Sequence, residues 1–363
     1  MISEYMRRAV ELGYDGLGTT SPNPSVGCVL VRDGVIAGEG YSAPAGGPHA
    51  EVRALQAAGD AARGATVYVT LEPCSHFGRT PPCADALIAA GVAAVRVALL
   101  DPDPKVSGSG IEKLRAAGID VEIGDGEAEA RRSLEWHIKH RTTGLPFVIA
   151  KFAATLDGKI AATSGDSRWV AGEEARAWAH GLRTKIDAIM CGINNVLLDD
   201  PQLTARPGGS PSERQPLRIV ADSRGRTPLD ARVLGPGGKT LIATTDASSK
   251  DWRAAVSSLG AEVLVLEADA SGRVEMRELV RTLGARDVVS LLVEGGGVLH
   301  ASMFAAGLVD KVHAIIAPKI VGGTMYPAVA GEGAAHMSEA LRLREVEVVR
   351  LGDDVAFLGY VGG

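Results

Sequence analysis

Three residues with metal-binding side chains and one carboxylate form the most informative feature of the sequence. His49 and Glu51 stand two positions apart, and Cys74 and Cys83 follow, each directly after a proline. One imidazole and two thiolates suit zinc and leave a fourth tetrahedral position open for a water that the metal acidifies. In zinc deaminases, a glutamate that is not a ligand shuttles protons from that water to the leaving amine. The pattern therefore predicts hydrolytic deamination, with Glu51 as the proton shuttle.

The segment between the two cysteines separates this pattern from the short Cys-x-x-Cys that is usual in deaminases acting on nucleic acid. Residues 75–82 include a histidine, an arginine and two prolines, and they contain no acidic side chain. A polar, basic loop with a proline-stiffened end suits an anionic small molecule held over the metal. The alternative is a core histidine with ordinary buried thiols, but the combined pattern favours the metal site.

Hydrophobic periodicity places these residues within alternating strands and helices. Before residue 144 the pattern predicts a hairpin over 26–38, strands over 66–70, 94–100 and 119–123, and helices over 49–58, 83–90, 110–117 and 127–140. His49 and the 74–83 segment both fall where the chain enters a helix. The positive end of a helix dipole favours thiolate over thiol, and so supports metal binding there.

A glycine and a proline interrupt this alternation at 144–146 and indicate a domain boundary. We expect a first domain over residues 1–144 and a second over 145–363. A new apolar strand is predicted to begin at Phe147, after which strands and helices alternate to the end of the sequence. The 363 residues amount to about two domain lengths, so the sequence predicts a two-domain α/β protein.

Composition narrows the classes of partner. The formal charge of −6 and the pI near 5.8 argue against nucleic acid, whose binding needs a basic surface. The sequence shows neither a signal peptide nor an apolar segment of membrane-spanning length. Of the four cysteines, Cys28 and Cys191 lie in apolar runs and are expected to be buried in the core. This usage fits a reducing cytoplasm.

The second half contains two weaker signals for a nucleotide. A buried strand at 291–293, a glycine turn and a helix over 298–306 could place backbone amides against a pyrophosphate, although a purely structural turn explains the pattern as well. The Gly-x-Gly-x-x-Gly fingerprint is absent. Ser223, Arg224 and Arg226 follow another predicted strand and suit the additional phosphate of NADP, with a solvated basic turn as the alternative.

Together, the motifs of both halves resemble the bifunctional deaminase/reductase family of riboflavin biosynthesis. The resemblance covers nearly the whole chain and rests on motifs in the family's order: 49–51, 72–83, 151–159, 167–169, 199–201, 203–206 and 294–296. It implies an α/β fold class, with an N-terminal cytidine-deaminase-like three-layer domain and a C-terminal dihydrofolate-reductase-like α/β domain. It also implies one zinc ion per deaminase site and NADPH as the reductant.

The resemblance implies two consecutive reactions on a small pyrimidine ribotide. The first converts 2,5-diamino-6-(5-phosphoribosylamino)pyrimidin-4(3H)-one to 5-amino-6-(5-phosphoribosylamino)uracil and releases ammonia. The second uses NADPH to reduce the ribosyl group and gives 5-amino-6-(5-phosphoribitylamino)uracil. Because the cofactor supplies the redox chemistry, the protein mainly has to position the reactants and neutralise a phosphate.

Carried over by position, the family's roles fall on specific residues. The zinc ligands are His49, Cys74 and Cys83, and the deaminase substrate is expected at Asn23, His76 and Arg79, the last suited to phosphate. The reductase substrate is expected at Lys151, Ser167, Arg183, Leu203, Arg206 and Glu294. NADPH is expected at Ala153, Trp169, Asn195, Asp199, Ser223, Gly296 and Gly297. Either Lys151 or Asp199 assists proton transfer as the sugar ring opens.

Two positions depart from the family's common residues. Ser42 stands where a histidine is frequent near the deaminase pocket, so substrate contact there is expected to weaken. Asn195 replaces a frequent threonine, and its amide can supply a similar hydrogen bond. Three rival interpretations remain: a nucleic-acid deaminase, a monofunctional deaminase with a ligand-binding second half, and a structural zinc module. A homo-oligomer is a further expectation.

Overall fold

The computed structural model describes residues 2–78, 80–103 and 106–362. The chain divides into two compact units, Met1–Leu145 and Pro146–Gly363. The first unit contains a five-stranded sheet and the second a nine-stranded sheet. None of the described helices combines the length and the apolar character needed to cross a bilayer.

The sheet of the first unit has the strand order β2-β1-β3-β4-β5. β1 pairs with β2 and with β3 in antiparallel fashion, whereas β3, β4 and β5 are parallel. The elements are α1 (Glu4–Asp15), β1 (Gly27–Arg32), β2 (Val35–Tyr41), α2 (Ala50–Ala58), β3 (Thr66–Val69), α3 (Cys83–Ala90), β4 (Ala94–Val97), α4 (Ser109–Ala116), β5 (Asp120–Ile123), α5 (Glu127–Ser133) and α6 (Glu135–Thr143).

Helices cover both faces of this sheet. Alternate residues of β1 point to opposite faces, so Cys28 and Leu30 join one core with α2, α3 and α4, whereas Val29 and Val31 join another with α1. The predicted hairpin is confirmed: Asp33 and Gly34 form its two-residue loop with φ of 51° and 78°. The predicted three-layer arrangement is therefore confirmed.

The predicted helix over 127–140 is wrong in one respect, because it is two helices that meet at Leu134. Residues four apart share a face of a straight helix. Ala130, however, packs in the core beside α1, and Leu134 packs in the core on the other side of the sheet. The change of direction at Leu134 lets both side chains be buried.

The sheet of the second unit has the strand order β10-β9-β8-β7-β11-β6-β12-β14-β13. Every neighbouring pair from β10 to β12 is parallel, and β14 pairs antiparallel with both β12 and β13. The elements are β6 (Phe147–Thr155), α7 (Glu173–Arg183), β7 (Ala188–Gly192), α8 (Ile193–Asp199), β8 (Leu217–Ala221), β9 (Thr240–Thr244), α9 (Lys250–Ser258), β10 (Glu262–Val265), α10 (Met276–Gly284), β11 (Ser290–Val293), α11 (Gly297–Ala305), β12 (Lys311–Ala317), β13 (Leu343–Leu351) and β14 (Asp354–Val361).

The central parallel strands are covered on both faces, and all four residues of β11 are buried. Cys191 on β7 and Cys28 on β1 are fully buried, as predicted. β11 lies between β7 and β6, although it follows both in sequence. In open α/β sheets, such a reversal of strand order opens a crevice at the carboxyl ends of the strands, where ligands bind.

The packing of α1 on β1 depends on a glycine. A Cβ at Gly27 would lie 1.8 Å from the carbonyl oxygen of Ala9, so Gly27→Ala is expected to lower the free energy of unfolding by about 1–3 kcal/mol. Gly181→Ala is the control, because no atom outside the backbone of its own helix lies within 4 Å of that added Cβ. Urea denaturation of both variants tests this, and equal stabilities would contradict the packing described.

Candidate active sites

The residues predicted to bind zinc converge in the first unit. His49 is the N-cap of α2, Cys83 is the first residue of α3, and Cys74 lies in the loop after β3. The Nδ1 atom of His49 lies 3.1 Å from Sγ of Cys83 and 3.7 Å from Sγ of Cys74. All the candidate ligand atoms lie within 4.8 Å of one another. The three side chains therefore form a compact group of donors of the types that zinc prefers.

The surroundings of Cys74 favour a thiolate. Hydrogen bonds from Cys83 and His49 lower the pKa of the Cys74 thiol to about 4. The backbone N–H of Cys83 also donates to Cys74 Sγ at 3.2 Å. Cys74 is thus in the form that binds metal, whereas its hydrogen bond with Cys83 and burial raise the pKa of the Cys83 thiol, which would lose its proton when zinc binds. The types of the three donors fit zinc. On the other side of the imidazole, the hydroxyl of Thr80 lies 3.3 Å from Nε2 of His49 and helps to orient the ring.

Glu51 lies in the first turn of α2 and is only 4% exposed. Burial, reinforced by the negative charge of Cys74, raises the pKa of this carboxyl to about 7. A group with a pKa near the operating pH both accepts and releases protons readily. The side chain also interacts with Cys83, so an acid–base group stands beside the three candidate ligands.

The other residues predicted for the deaminase site differ in their surroundings. His76 is exposed in the loop between the cysteines, Asn23 is half-buried in a turn, and Arg79 lies outside the described residues. Ser42 is buried, and its hydroxyl accepts a hydrogen bond from the N–H of Val26 at 3.1 Å. The Ser42 side chain therefore binds the backbone at the open end of the β1–β2 hairpin.

The second unit contains a cavity of about 600 Å³ at the carboxyl ends of β7, β8 and β11. Six of the residues predicted to bind the cofactor or substrate line it: Ser167, Asn195, Asp199, Ser223, Gly296 and Gly297. Ala153 and Trp169 are not among its lining residues. Ala153 instead packs in a small core beside α7, and Trp169 is 64% exposed with its ring against Arg176.

Hydrogen bonds connect the predicted residues of this cavity. The Asn195 side-chain oxygen accepts the N–H of Gly296 at 2.7 Å, and the Ser167 hydroxyl donates to Asp199 at 2.6 Å. A Cβ at Gly297 would lie 2.2 Å from the carbonyl oxygen of Pro327, so only glycine fits that position. The glycine turn between β11 and α11 therefore brings bare backbone to the cavity wall.

Basic side chains line one part of the cavity. Arg224 and Arg226 follow β8, and Arg273 comes from the loop between β10 and α10. Buried Asp222 fixes the loop after β8 by accepting hydrogen bonds from the backbone N–H groups of Arg226 and Thr227, each at 2.7 Å. Arg273 was not predicted. The signal that could have found it is the turn sequence 271–273, which joins a serine and a glycine to this cation.

A second polar cluster surrounds Glu294, directly after β11. Arg183 donates to both carboxylate oxygens, at 2.8 and 2.7 Å, and Lys151 Nζ lies 3.4 Å away. Burial alone would raise the pKa of Glu294, but the charges of Arg183 and Lys151 hold it well below its usual range. Arg183 also donates to the carbonyl of Thr204 at 3.0 Å. These residues form a buried, charged group with one fixed carboxylate.

The segment predicted to include Leu203 and Arg206 packs beside this cluster. Leu203 is buried and has a positive φ of 52°. The N–H of Arg206 donates to Nδ1 of His180 at 3.2 Å, and burial together with Arg183 and Arg206 lowers the pKa of His180 to about 4. His180 therefore accepts this hydrogen bond as a neutral ring at physiological pH.

Comparison with known proteins gives a consistent assignment. The family model for the cytidine and deoxycytidylate deaminase zinc-binding region matches residues 1–99, and that for the RibD C-terminal domain matches residues 146–357. The chain is 42% identical over 361 residues to riboflavin biosynthesis protein RibD of Escherichia coli (strain K12), covering 97% of each chain. It is 45% identical over 349 residues to that of Chlamydia trachomatis serovar D, covering 95% of this chain and 92% of the relative.

Solved structures agree. Acinetobacter baumannii RibD, form 1, has a TM-score of 0.88 and 37% identity, covering 99% of this chain and 98% of that one. A Thermotoga maritima protein described as a diaminohydroxyphosphoribosylaminopyrimidine deaminase/5-amino-6-(5-phosphoribosylamino)uracil reductase has a TM-score of 0.86 and 35% identity. The alignment covers 99% of this chain and 98% of the Thermotoga maritima chain.

Fold and sites together define a bifunctional enzyme in which a zinc-binding deaminase domain is joined to an NADPH-dependent reductase domain. The chain belongs to the RibD family, whose members act in riboflavin biosynthesis. The predicted fold class is confirmed: a cytidine-deaminase-like domain precedes a dihydrofolate-reductase-like α/β domain. The family assignment also confirms an enzyme that acts on a small molecule and disfavours a structural zinc module.

The charge cluster predicts a pH-dependent stability. Glu294→Gln is expected to lower the free energy of unfolding by about 3–5 kcal/mol at neutral pH, because it leaves buried Arg183 without its partner. Since the folded-state pKa of Glu294 is depressed, the full difference is present above the ordinary value of 4.5. Below that value it shrinks by about 1.4 kcal/mol per pH unit as the pH falls.

Urea titrations at neutral pH and about one unit below the ordinary glutamate pKa would measure this difference. Glu262→Gln is the control, since its ion pair with Arg286 is exposed and is worth less than about 1 kcal/mol. A Glu294→Gln effect of the same size at both pH values would contradict the assigned charge state.

Proposed function

We propose that residues 1–144 deaminate 2,5-diamino-6-(5-phosphoribosylamino)pyrimidin-4(3H)-one and that residues 145–363 reduce the product. The two steps give 5-amino-6-(5-phosphoribosylamino)uracil and then 5-amino-6-(5-phosphoribitylamino)uracil. The observation that carries this proposal is the pairing, within one chain, of a His/Cys/Cys donor group beside a buried carboxyl with a glycine- and arginine-lined cavity.

In the deaminase domain, His49, Cys74 and Cys83 would hold the metal. Zinc, when bound, would act as a Lewis acid and make water a nucleophile at neutral pH. The carboxyl of Glu51, with its pKa raised to about 7, takes the proton from the attacking water and delivers it to the leaving amine. Asn23 and His76 would orient the pyrimidine, and Arg79 would bind its phosphate.

In the reductase domain, NADPH supplies the hydride when it is bound. The glycine turn at Gly296 and Gly297 would let the pyrophosphate approach the first N–H groups of α11, while Asn195 fixes the turn by accepting the N–H of Gly296. Ser223 and the neighbouring arginines would bind its additional phosphate. Further cofactor contacts are proposed for Ala153, Trp169 and Asp199.

The ribose and its phosphate would meet the charged group around Glu294. Substrate contacts are proposed for Lys151, Ser167, Arg183, Leu203, Arg206 and Glu294. A proton is needed when the sugar ring opens, and Lys151 brings an ammonium group beside the fixed Glu294 carboxylate. Asp199 accepts a hydrogen bond from Ser167. We therefore assign the proton transfer to Lys151 and the positioning of Ser167 to Asp199.

We further propose a cytoplasmic homo-oligomer that does not bind nucleic acid. The charge of −6 disfavours a polyanionic partner. β13 is an edge strand in which five consecutive residues are exposed, including Val346 and Val348. Two exposed valines among charged residues at the end of the described sheet favour a surface that another chain covers.

The test of the proposed function is mass spectrometry of the products that zinc-loaded protein forms from the freshly prepared diaminopyrimidine ribotide. Without NADPH, the amino-to-oxo product is expected to accumulate. With NADPH, it is expected to be converted to the ribityl product. Deamination without any reduction would contradict the reductase assignment, and the absence of both reactions in zinc-loaded protein would contradict the substrate.

Glu51→Gln removes the proton-accepting group without changing its size. The deaminase kcat is expected to fall by about 10²–10⁴-fold. Zinc content and reductase activity on the deaminated substrate should stay at wild-type levels, because neither depends on this carboxyl. Parallel measurement of both activities and of bound zinc checks this. A deaminase rate within tenfold of the wild type would exclude Glu51 as the proton shuttle.

The arginines of the cavity are expected to select NADPH over NADH. Arg224→Ala combined with Arg273→Ala should raise the KM for NADPH by about 10–100-fold, because the double variant would lose one or two hydrogen bonds to a charged phosphate. The KM for NADH should change less than twofold. Arg277→Ala is the matched control, since Arg277 is exposed nearby on α10 and does not line the cavity. Equal losses with both cofactors would contradict phosphate recognition.

A further inference from the structure

Glu72 is a buried carboxylate beside the zinc-ligand loop, and it is neither a candidate ligand nor the proton shuttle. It is 4% exposed and stands two positions before Cys74. No cation pairs with it among the ion pairs of the described residues. Its carboxylate oxygens instead accept four backbone N–H groups, from Asp101 at 3.2 Å, Gly108 at 2.9 Å, Gly110 at 2.8 Å and Ile111 at 3.4 Å.

These N–H groups belong to the start of α4 and the loop before it. The N-cap of α4 is Gly108, which has a φ of 88° and no side chain that could cap the helix. The first N–H groups of a helix have no partner within the helix, and the positive end of its dipole favours a negative charge there. Glu72 therefore caps α4 from a position 36 residues before its N-cap.

Further contacts hold the ligand loop against the same helix. A Cβ at Gly110 would lie 2.0 Å from the carbonyl oxygen of Pro73, so the two backbones touch. The hydroxyl of Ser75 lies 2.7 Å from that of Ser109. Cys74 is the residue between these two contacts. The start of α4 thus supports the loop on both sides of the thiolate.

The other side of Cys74 is attached to α3. The N–H of Ala84 donates to the carbonyl of Cys74 at 3.1 Å, and the N–H of Cys83 donates to its sulfur at 3.2 Å. Cys74 is therefore held between the N-termini of two helices. Without the Glu72 cap, the α4 side would lose the four N–H groups that now bind this carboxylate, whereas the α3 side would keep its hydrogen bonds.

We propose that Glu72 is a positioning residue for the zinc site: by capping α4, it fixes the loop that presents Cys74 to His49 and Cys83. This inference rests on the proposed ligand set. Partners of metal ligands that lie outside the first coordination shell commonly change metal affinity by about 10–100-fold when they are removed. A helix cap with no such role would change the stability of the domain and leave zinc binding alone.

The test compares Glu72→Gln with Asp125→Asn in the full chain. Gln keeps the size of Glu72, but its NH₂ group cannot accept the N–H groups that one oxygen now binds. Asp125 is the matched control, because it accepts the N–H and the hydroxyl of Ser3, the N-cap of α1, which carries none of the ligands. The readouts are the rate of zinc transfer to a chromogenic chelator, the deaminase kcat, and reductase activity as an internal standard.

Zinc release is expected to be about 10–100-fold faster in Glu72→Gln, with a lower deaminase kcat and unchanged reductase activity. Asp125→Asn should release zinc within twofold of the wild-type rate. Should Glu72→Gln fail to fold, Glu72→Asp keeps the charge on a shorter side chain, and its zinc release is expected to be faster than that of the control.

Zinc release within twofold of the wild type in both Glu72 variants would overturn the inference, even if their thermal stability fell. A failure of the proposed ligand set looks different, because the wild-type chain itself would then bind no zinc. A failure of the proposed reaction would leave the zinc-loaded wild-type chain without deaminase activity. The wild-type measurements therefore separate both failures from a failure of the inference.

Discussion

The deaminase domain depends on the close approach of one imidazole and two thiols. Cys74 and Cys83 both lie near His49, and two thiolates at such distances repel each other unless a cation lies between them. The fold brings them together by starting α2 and α3 at His49 and Cys83, on the same face of the sheet. Hydrogen bonds at Cys74 then shift its equilibrium towards the charged form that binds a metal.

Three buried glutamates show how the surroundings of a carboxyl group decide its role. Burial and the negative charge of Cys74 outweigh the opposing effect of His49 and raise the pKa of Glu51 to about 7, so it can carry a proton. Glu294 faces Arg183 and Lys151, which keep it ionised and make it a fixed charge. Glu72 faces backbone N–H groups and acts as a helix cap. The chemistry of each site therefore follows from its neighbours.

Much of the deaminase domain could be predicted from local sequence. Periodicity places β1, α2, α3 and the hairpin turn correctly, because each has its own pattern of apolar residues or turn residues. The break at Leu134 could not be predicted in this way, since it results from packing on two opposite faces of the sheet. Glu72 was visible only as part of a family motif, because its partners lie far along the chain.

In the reductase domain, too, local sequence predicts some features of the site and not others. The glycine turn after β11 and the basic loop after β8 stand out in the sequence, and the structure places both at one cavity. Arg273 lies in a turn that the sequence indicates, but it reaches this cavity from a distant loop, so only the structure places it there. The Arg183–Glu294 pair joins the end of α7 to the residue after β11 across 111 positions, so no local pattern predicts that the two side chains meet.

The most direct test of the central claim is zinc K-edge absorption spectroscopy of the loaded full-length chain. The account predicts two sulfur ligands at about 2.3 Å and two nitrogen or oxygen ligands at about 2.0–2.1 Å, one of which is not from the protein. Replacement of Cys74 by serine should remove one sulfur. A shell of four protein ligands, or one without sulfur, would contradict the assignment of His49, Cys74 and Cys83 as an open catalytic site.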